Sequence, residues 1–144
     1  MKKYKILYVE DLEIFKLCYS ELFMKILNKD SVDLLTCSTG EEAKLRLKKE
    51  KIDFVILDWI LPGEIDGLKL LRWIKKVKRY GPNTPVIFFS AVSEPDRIQK
   101  ALKAGFNDYM FKPFSKELVR KVLKLHVPYE YFLPDSNFPI DKRW

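Results

Sequence analysis

Five side chains in this sequence could do chemistry together: Glu10, Asp11, Asp58, Ser90 and Lys112. They comprise three carboxylates, one hydroxyl and one amine, and each closes or directly follows an apolar run. Carboxylates gathered in one pocket raise each other's pKa values by repulsion. A hard divalent cation removes that conflict, and an all-oxygen site with few protein ligands suits Mg²⁺, which keeps several waters. An amine beside a metal-loaded acidic site needs an anion of its own. A donating hydroxyl and a cation on a flexible stem suit a phosphoryl group. The chemistry implied is phosphoryl transfer onto a carboxylate, giving an acyl phosphate. Singly, each residue has a plainer reading: Asp11 as a helix cap, Ser90 as the start of a turn, Lys112 as a solvated charge. The weight lies in the complementary set.

Convergence of the five depends on the elements that carry them. Tyr4–Val9 is an apolar, β-rich run, and Leu12–Leu27 follows with Phe15, Cys18, Tyr19, Leu22 and Ile26 on one helical face. Ser31–Cys37 reads as a strand and Gly40–Lys49 as a helix. Phe54–Leu57 is continuously apolar, so both its faces should be buried. A turn-rich loop runs from Asp58 to Asp66, and Leu68–Val77 is a helix broken by Gly81-Pro82-Asn83. Pro85–Phe89 is another continuous strand. Glu94-Pro95-Asp96 opens a helix that stops at Gly105. Asp108–Phe111 is a short strand, and Ser115 caps a helix reaching Leu125. This βα alternation predicts an α/β fold: one doubly wound parallel sheet of five strands with five helices covering both faces. Ligands bind at the carboxyl edge of such sheets. Glu10-Asp11, Asp58, Ser90 and Lys112 follow strands one, three, four and five, and so should meet there.

The 144 residues fit a single core, with 47% hydrophobic and 33% charged residues. No apolar stretch approaches the ~18 residues of a membrane span. The N-terminal apolar run is short and broken by Glu10-Asp11, unlike a signal peptide. Cys18 and Cys37 lack metal or redox spacing and read as core or near-core residues of a cytoplasmic protein. The net charge of +7 invites a nucleic-acid reading, but the lysines are scattered at helical spacing as solvated faces. That argues against direct nucleic-acid binding.

The motifs "VED" (9–11), "VILDWILPG" (55–63), "FFSA" (88–91) and "YMFKPF" (109–114) identify a resemblance over residues 4–126. The chain resembles the receiver domain of bacterial two-component response regulators. That resemblance implies the flavodoxin-like strand order 2-1-3-4-5 and a Mg²⁺-dependent signalling switch. The switch would catalyse its own phosphorylation and dephosphorylation without being an enzyme on other substrates. It implies Asp58 as phosphoacceptor, with Glu10, Asp11, Asp58 and the Ile60 backbone carbonyl around Mg²⁺. Lys112 and Ser90 would contact the phosphoryl group, and Ala91 would offer it a backbone N–H. Tyr109 would change rotamer with Ser90, and Lys112-Pro113 would be cis. The phosphodonor would be a histidine kinase or phosphotransfer protein. Output would pass through helix four, strand five and helix five to a downstream partner or a homodimer mate. Arg97, Lys100, Lys103, Tyr109, Lys116, Arg120 and Lys124 make that face basic, suiting an acidic partner. Two departures stand out: Glu10 replaces the common Asp, and the 58–67 loop is one residue longer than usual. Ile60 and Val92 are apolar where the family's hydrolytic water passes, which predicts slow autodephosphorylation.

Two rival readings use the same fold. A pseudo-receiver would act as a phosphorylation-independent interaction module, and the complete set of Asp11, Asp58, Ser90 and Lys112 argues against it. An aspartate-nucleophile phosphatase would want an acid two residues after Asp58, where Ile60 stands. His126, the single histidine, ends the last helix with no metal or nucleophile spacing around it. Residues 127–144 form an extension rich in prolines and aromatics, too aromatic for a plain linker. It should pack on the domain or a neighbour, or begin a truncated output region.

Overall fold

The computed structural model describes residues 2–134. Phe138, Pro139 and Trp144, which contributed to the expectation of a packed tail, lie outside the described residues. The elements run β1 (Tyr4–Val9), α1 (Glu13–Ile26), β2 (Val32–Cys37), α2 (Gly40–Lys49), β3 (Phe54–Leu57), α3 (Gly67–Lys76), β4 (Val86–Ser90), α4 (Pro95–Ala104), β5 (Asp108–Phe111) and α5 (Lys116–His126), with 3-10 turns at Gly81–Asn83 and Tyr129–Tyr131. The five strands are all parallel, in the order β2-β1-β3-β4-β5.

Local signals set the helix ends. Thr39, Asp66 and Ser115 accept from the backbone N–H three residues on, capping α2, α3 and α5. Gly105 ends α4 in the left-handed conformation, φ 98°. Two apolar layers flank the sheet. Alternate strand residues Leu7, Val9, Val55, Leu57, Val86 and Phe88 pack under α2, α3 and α4. Ile6, Tyr8, Phe54, Ile56, Ile87 and Phe89 face the other way, against α1 and α5. All four residues of β3 are buried, as its unbroken apolar run predicts.

Helix α1 departs from the expected face. Its fully buried members are Phe23 and Ile26, while Cys18 is exposed, so only Cys37 is a core thiol. The stripe that meets the sheet centres on Tyr19, Leu22, Phe23 and Ile26, and Cys18 falls at its solvent edge.

After α5 the chain runs to the end of α1. Asn28 N donates to Tyr131 O at 2.8 Å and Leu133 N to Ile26 O at 3.0 Å, around an antiparallel bridge between Leu27 and Phe132. The Tyr131 ring stacks on Tyr4, centroids 4.6 Å apart. The described part of the extension thus packs on its own domain.

Candidate functional site

Strand register brings the polar residues together. Val9 pairs with Leu57, so Glu10 and Asp58 leave adjacent strands side by side, and Asp58 N donates to Val9 O at 3.0 Å. Ser90 pairs with Phe111, and Lys112 N donates to Ser90 O at 3.0 Å. The oxygens of Glu10, Asp11 and Asp58 lie within 4.8 Å of one another.

Glu10 is fully buried and Asp58 is 6% exposed. The Lys112 ammonium bridges them, donating to Glu10 Oε1 and to Asp58 Oδ2, the latter at 3.0 Å. The same ammonium lies over the Phe15 ring, 4.8 Å from its centroid. Burial pushes the Glu10 carboxyl above its usual range, opposed by Lys112 and reinforced by Asp58. Burial by itself would lower the Lys112 pKa, but its carboxylate partners prevail and raise it. Glu10 also accepts from Leu12 N at 3.3 Å and from the buried Tyr8 hydroxyl at 3.5 Å. The Glu10 carboxylate thus reaches Lys112 as well as the acid cluster.

Ser90 is buried at the end of β4 and its Oγ accepts from Val92 N at 3.3 Å; Ala91 beside it is exposed. Tyr109 is half-buried against Phe88, Phe106 and Phe111 and donates to Val92 O at 2.6 Å. Its desolvation pushes the phenol pKa up to about 12. Ile60 stands 61% exposed on the loop after Asp58, whereas Val92 is buried in the core. Of the two apolar neighbours expected along a water path, only Ile60 therefore faces solvent. The peptide Lys112-Pro113 is cis. Glu64, in the 58–67 loop, is not among the three acids that cluster; its backbone N–H bonds to Glu41 and its carbonyl to Lys69. His126 pairs with Asp108 at 3.0 Å, away from the site. Tyr8 and Phe15 touch the site without having been singled out. Their apolar spacing is that of ordinary core residues, although Phe15 lies one helical turn beyond Asp11.

Three hard oxygen donors from two adjacent strand ends, with one cation among them, fit a small divalent metal and a phosphoryl group. The family model of the response regulator receiver domain matches residues 6–124. The chain belongs to the response regulator receiver family. Sporulation initiation phosphotransferase F of Bacillus subtilis is 31% identical to this receiver over 128 residues, 89% of this chain and 97% of that protein. The uncharacterized transcriptional regulatory protein YbdJ of Bacillus subtilis is 36% identical over 130 residues, 88% of this chain and 53% of that one. The receiver spans about half the length of several curated relatives it matches, YbdJ among them. In fold it is similar to the receiver domain of sensor histidine kinase PA1611 from Pseudomonas aeruginosa. That structure has a magnesium ion coordinated in its active-site cleft; the TM-score is 0.73 at 23% identity, covering 86% of this chain and 97% of that one. Among the described residues no helix is long and apolar enough to cross a membrane.

Proposed function

We propose that this receiver is a phosphorylatable switch in which Asp58 accepts a phosphoryl group from a phosphohistidine on a histidine kinase or phosphotransfer protein. The observation that carries the reading is the Lys112 ammonium shared between Glu10 and Asp58 in a buried acidic pocket at the carboxyl edge of the sheet. Glu10, Asp11, Asp58 and the Ile60 carbonyl would hold Mg²⁺, which when bound neutralises charge on the phosphoryl oxygens. An Asp58 oxygen bonds to phosphorus, the phosphorus–nitrogen bond breaks, and the imidazole leaves with its electron pair and takes up a proton. Lys112 turns from the carboxylates to the phosphoryl oxygens. The Ser90 hydroxyl and the Ala91 N–H donate to the same group, and Tyr109 repacks as Ser90 moves.

Output runs through α4, β5 and α5. Arg97, Lys100, Lys103 and Lys116 are exposed there, while Tyr109, Arg120 and Lys124 are half-buried. Leu102, Phe111 and Leu118 are also exposed, at 53%, 46% and 40%. The face is therefore mixed apolar and basic rather than simply basic. It suits a downstream protein or second receiver offering both apolar and acidic groups. A cytoplasmic location belongs to the same reading.

Incubation with acetyl phosphate and Mg²⁺, followed by intact mass, tests the proposal. One adduct of about 80 Da, a phosphoryl group on a carboxylate, should form and be lost in Asp58→Ala. A chain that takes up no phosphoryl group would instead be a phosphorylation-independent interaction module.

A further inference from the structure

The loop between β3 and α3 is tied to an element that otherwise stands apart from the acidic pocket. Glu41, the second residue of α2, accepts from Glu64 N and Ile65 N on the same oxygen, both at 3.0 Å. A Cβ on Gly40 would lie 2.2 Å from Ile65 O, so the loop backbone rests directly on the first residue of α2. Gly63 has φ +85°, and a Cβ there would meet the Glu41 carboxylate at 2.9 Å. Lys69 closes the far side, donating to Glu64 O at 3.0 Å. The segment seated on α2 is the stretch Gly63-Glu64-Ile65-Asp66, where the loop carries its additional residue.

The start of this loop is fixed by Asp58, and its end by the bond from Gly67 N to Trp59 O at 2.8 Å. Between them, Leu61 is buried, and Glu41 supplies the hydrogen bonds from outside the loop and α3. A carboxylate in the first turn of a helix is already favoured by the helix dipole. Its hydrogen bonds to backbone N–H groups, its own and those of Ile65 and Glu64, hold its pKa below the usual carboxylate range. Glu41 therefore holds two loop amides while ionised.

We infer that Glu41 is a positioning residue: by fixing the lengthened 63–66 segment on α2, it sets the path of the 58–62 backbone, and with it the Ile60 carbonyl, for Mg²⁺ binding. The inference rests on the reading of Ile60 as a carbonyl ligand. It adds a dependence of the pocket on a helix whose residues do not line it.

The test is a Mg²⁺ titration of the full chain followed by tryptophan emission, since Trp59 adjoins Asp58 and stacks on Phe88. Glu41→Ala should weaken Mg²⁺ binding by roughly tenfold, the scale of losing charged hydrogen bonds. Its unfolding should remain cooperative, with Tm lowered by a few degrees at most. Glu41→Gln keeps an acceptor oxygen and should restore most of the affinity. Gly63→Ala, which pushes a methyl against the clamp and strains φ, should weaken binding in the same direction. Binding by Glu41→Ala within about twofold of the parent overturns the inference and leaves phosphorylation of Asp58 untouched. Absence of the acetyl phosphate adduct in a parent that binds Mg²⁺ overturns the switch reading, while the Glu41 series still decides the clamp. A parent that binds no Mg²⁺ overturns both.

Discussion

Lys112 is held by two buried carboxylates and an aromatic face, its own side chain only 9% exposed. Removing its charge leaves Glu10 and Asp58 facing each other unneutralised. Lys112→Ala should therefore cost about 3 kcal/mol without metal, read from urea denaturation, and added Mg²⁺ should recover part of it. Ile60, exposed and apolar beside Asp58, cannot orient a water. Ile60→Asn should shorten the lifetime of the phosphorylated form severalfold, followed by decay of the mass adduct after the phosphodonor is removed; equal lifetimes would sink the idea. That Glu10, Asp11, Asp58, Ser90 and Lys112 would gather at the carboxyl edge of the sheet was legible in the sequence because polar residues closing apolar strands stand out. Tyr8 and Phe15 were not, because an aromatic that touches the site has the same spacing as one that only fills the core. Val92 misled for a related reason: position relative to Ser90 does not say which way a side chain turns.

At the scale of elements, close backbone approach explains Gly40 and Gly67 better than flexibility does. A Cβ on Gly67 would lie 2.3 Å from Asp58 O and 2.6 Å from Trp59 Cα. Gly67→Ala should cost about 2–3 kcal/mol through overpacking and weaken phosphorylation, because the displaced carbonyl belongs to Asp58, the proposed phosphoacceptor. Chemical denaturation with the mass assay checks both. Ser115→Ala removes the bond from Leu118 N and should cost about 1 kcal/mol, with no loss of phosphoryl uptake. Caps helped make the ends of α2, α3 and α5 readable to within about a residue. The orientation of α1 was harder to read, because Ile14, Leu17 and Cys18 are as apolar as the residues that face the core. Only packing against β1, β4 and the residues after β5 selects Tyr19, Phe23 and Ile26. Glu41 was equally hidden, since an acid in the first turn of a helix needs no partner to be favourable there.

For the whole molecule, the parallel sheet and its two layers follow from the alternation of elements, whereas the path of the chain beyond α5 does not. Prolines and aromatics announced that the extension would not behave as a plain linker, but nothing in their order named Ile26, Leu27 and Tyr4 as its partners. Ending the chain after His126 should lower stability by about 2 kcal/mol, given the loss of the Tyr4–Tyr131 stack and buried Phe132 surface. Calorimetry would register this as a drop of several degrees in Tm. The same strap has a mechanical meaning. Val127 is buried directly after α5, and five residues later Phe132 is bridged to the end of α1. Helix α5 is thus fastened at its foot by this strap as well as along its buried face of Val119, Val122 and Leu123, while its head lies next to Lys112 and Phe114 in the chain. A push from the pocket should therefore displace the proposed output face more toward Leu118 than toward His126, where the strap resists it.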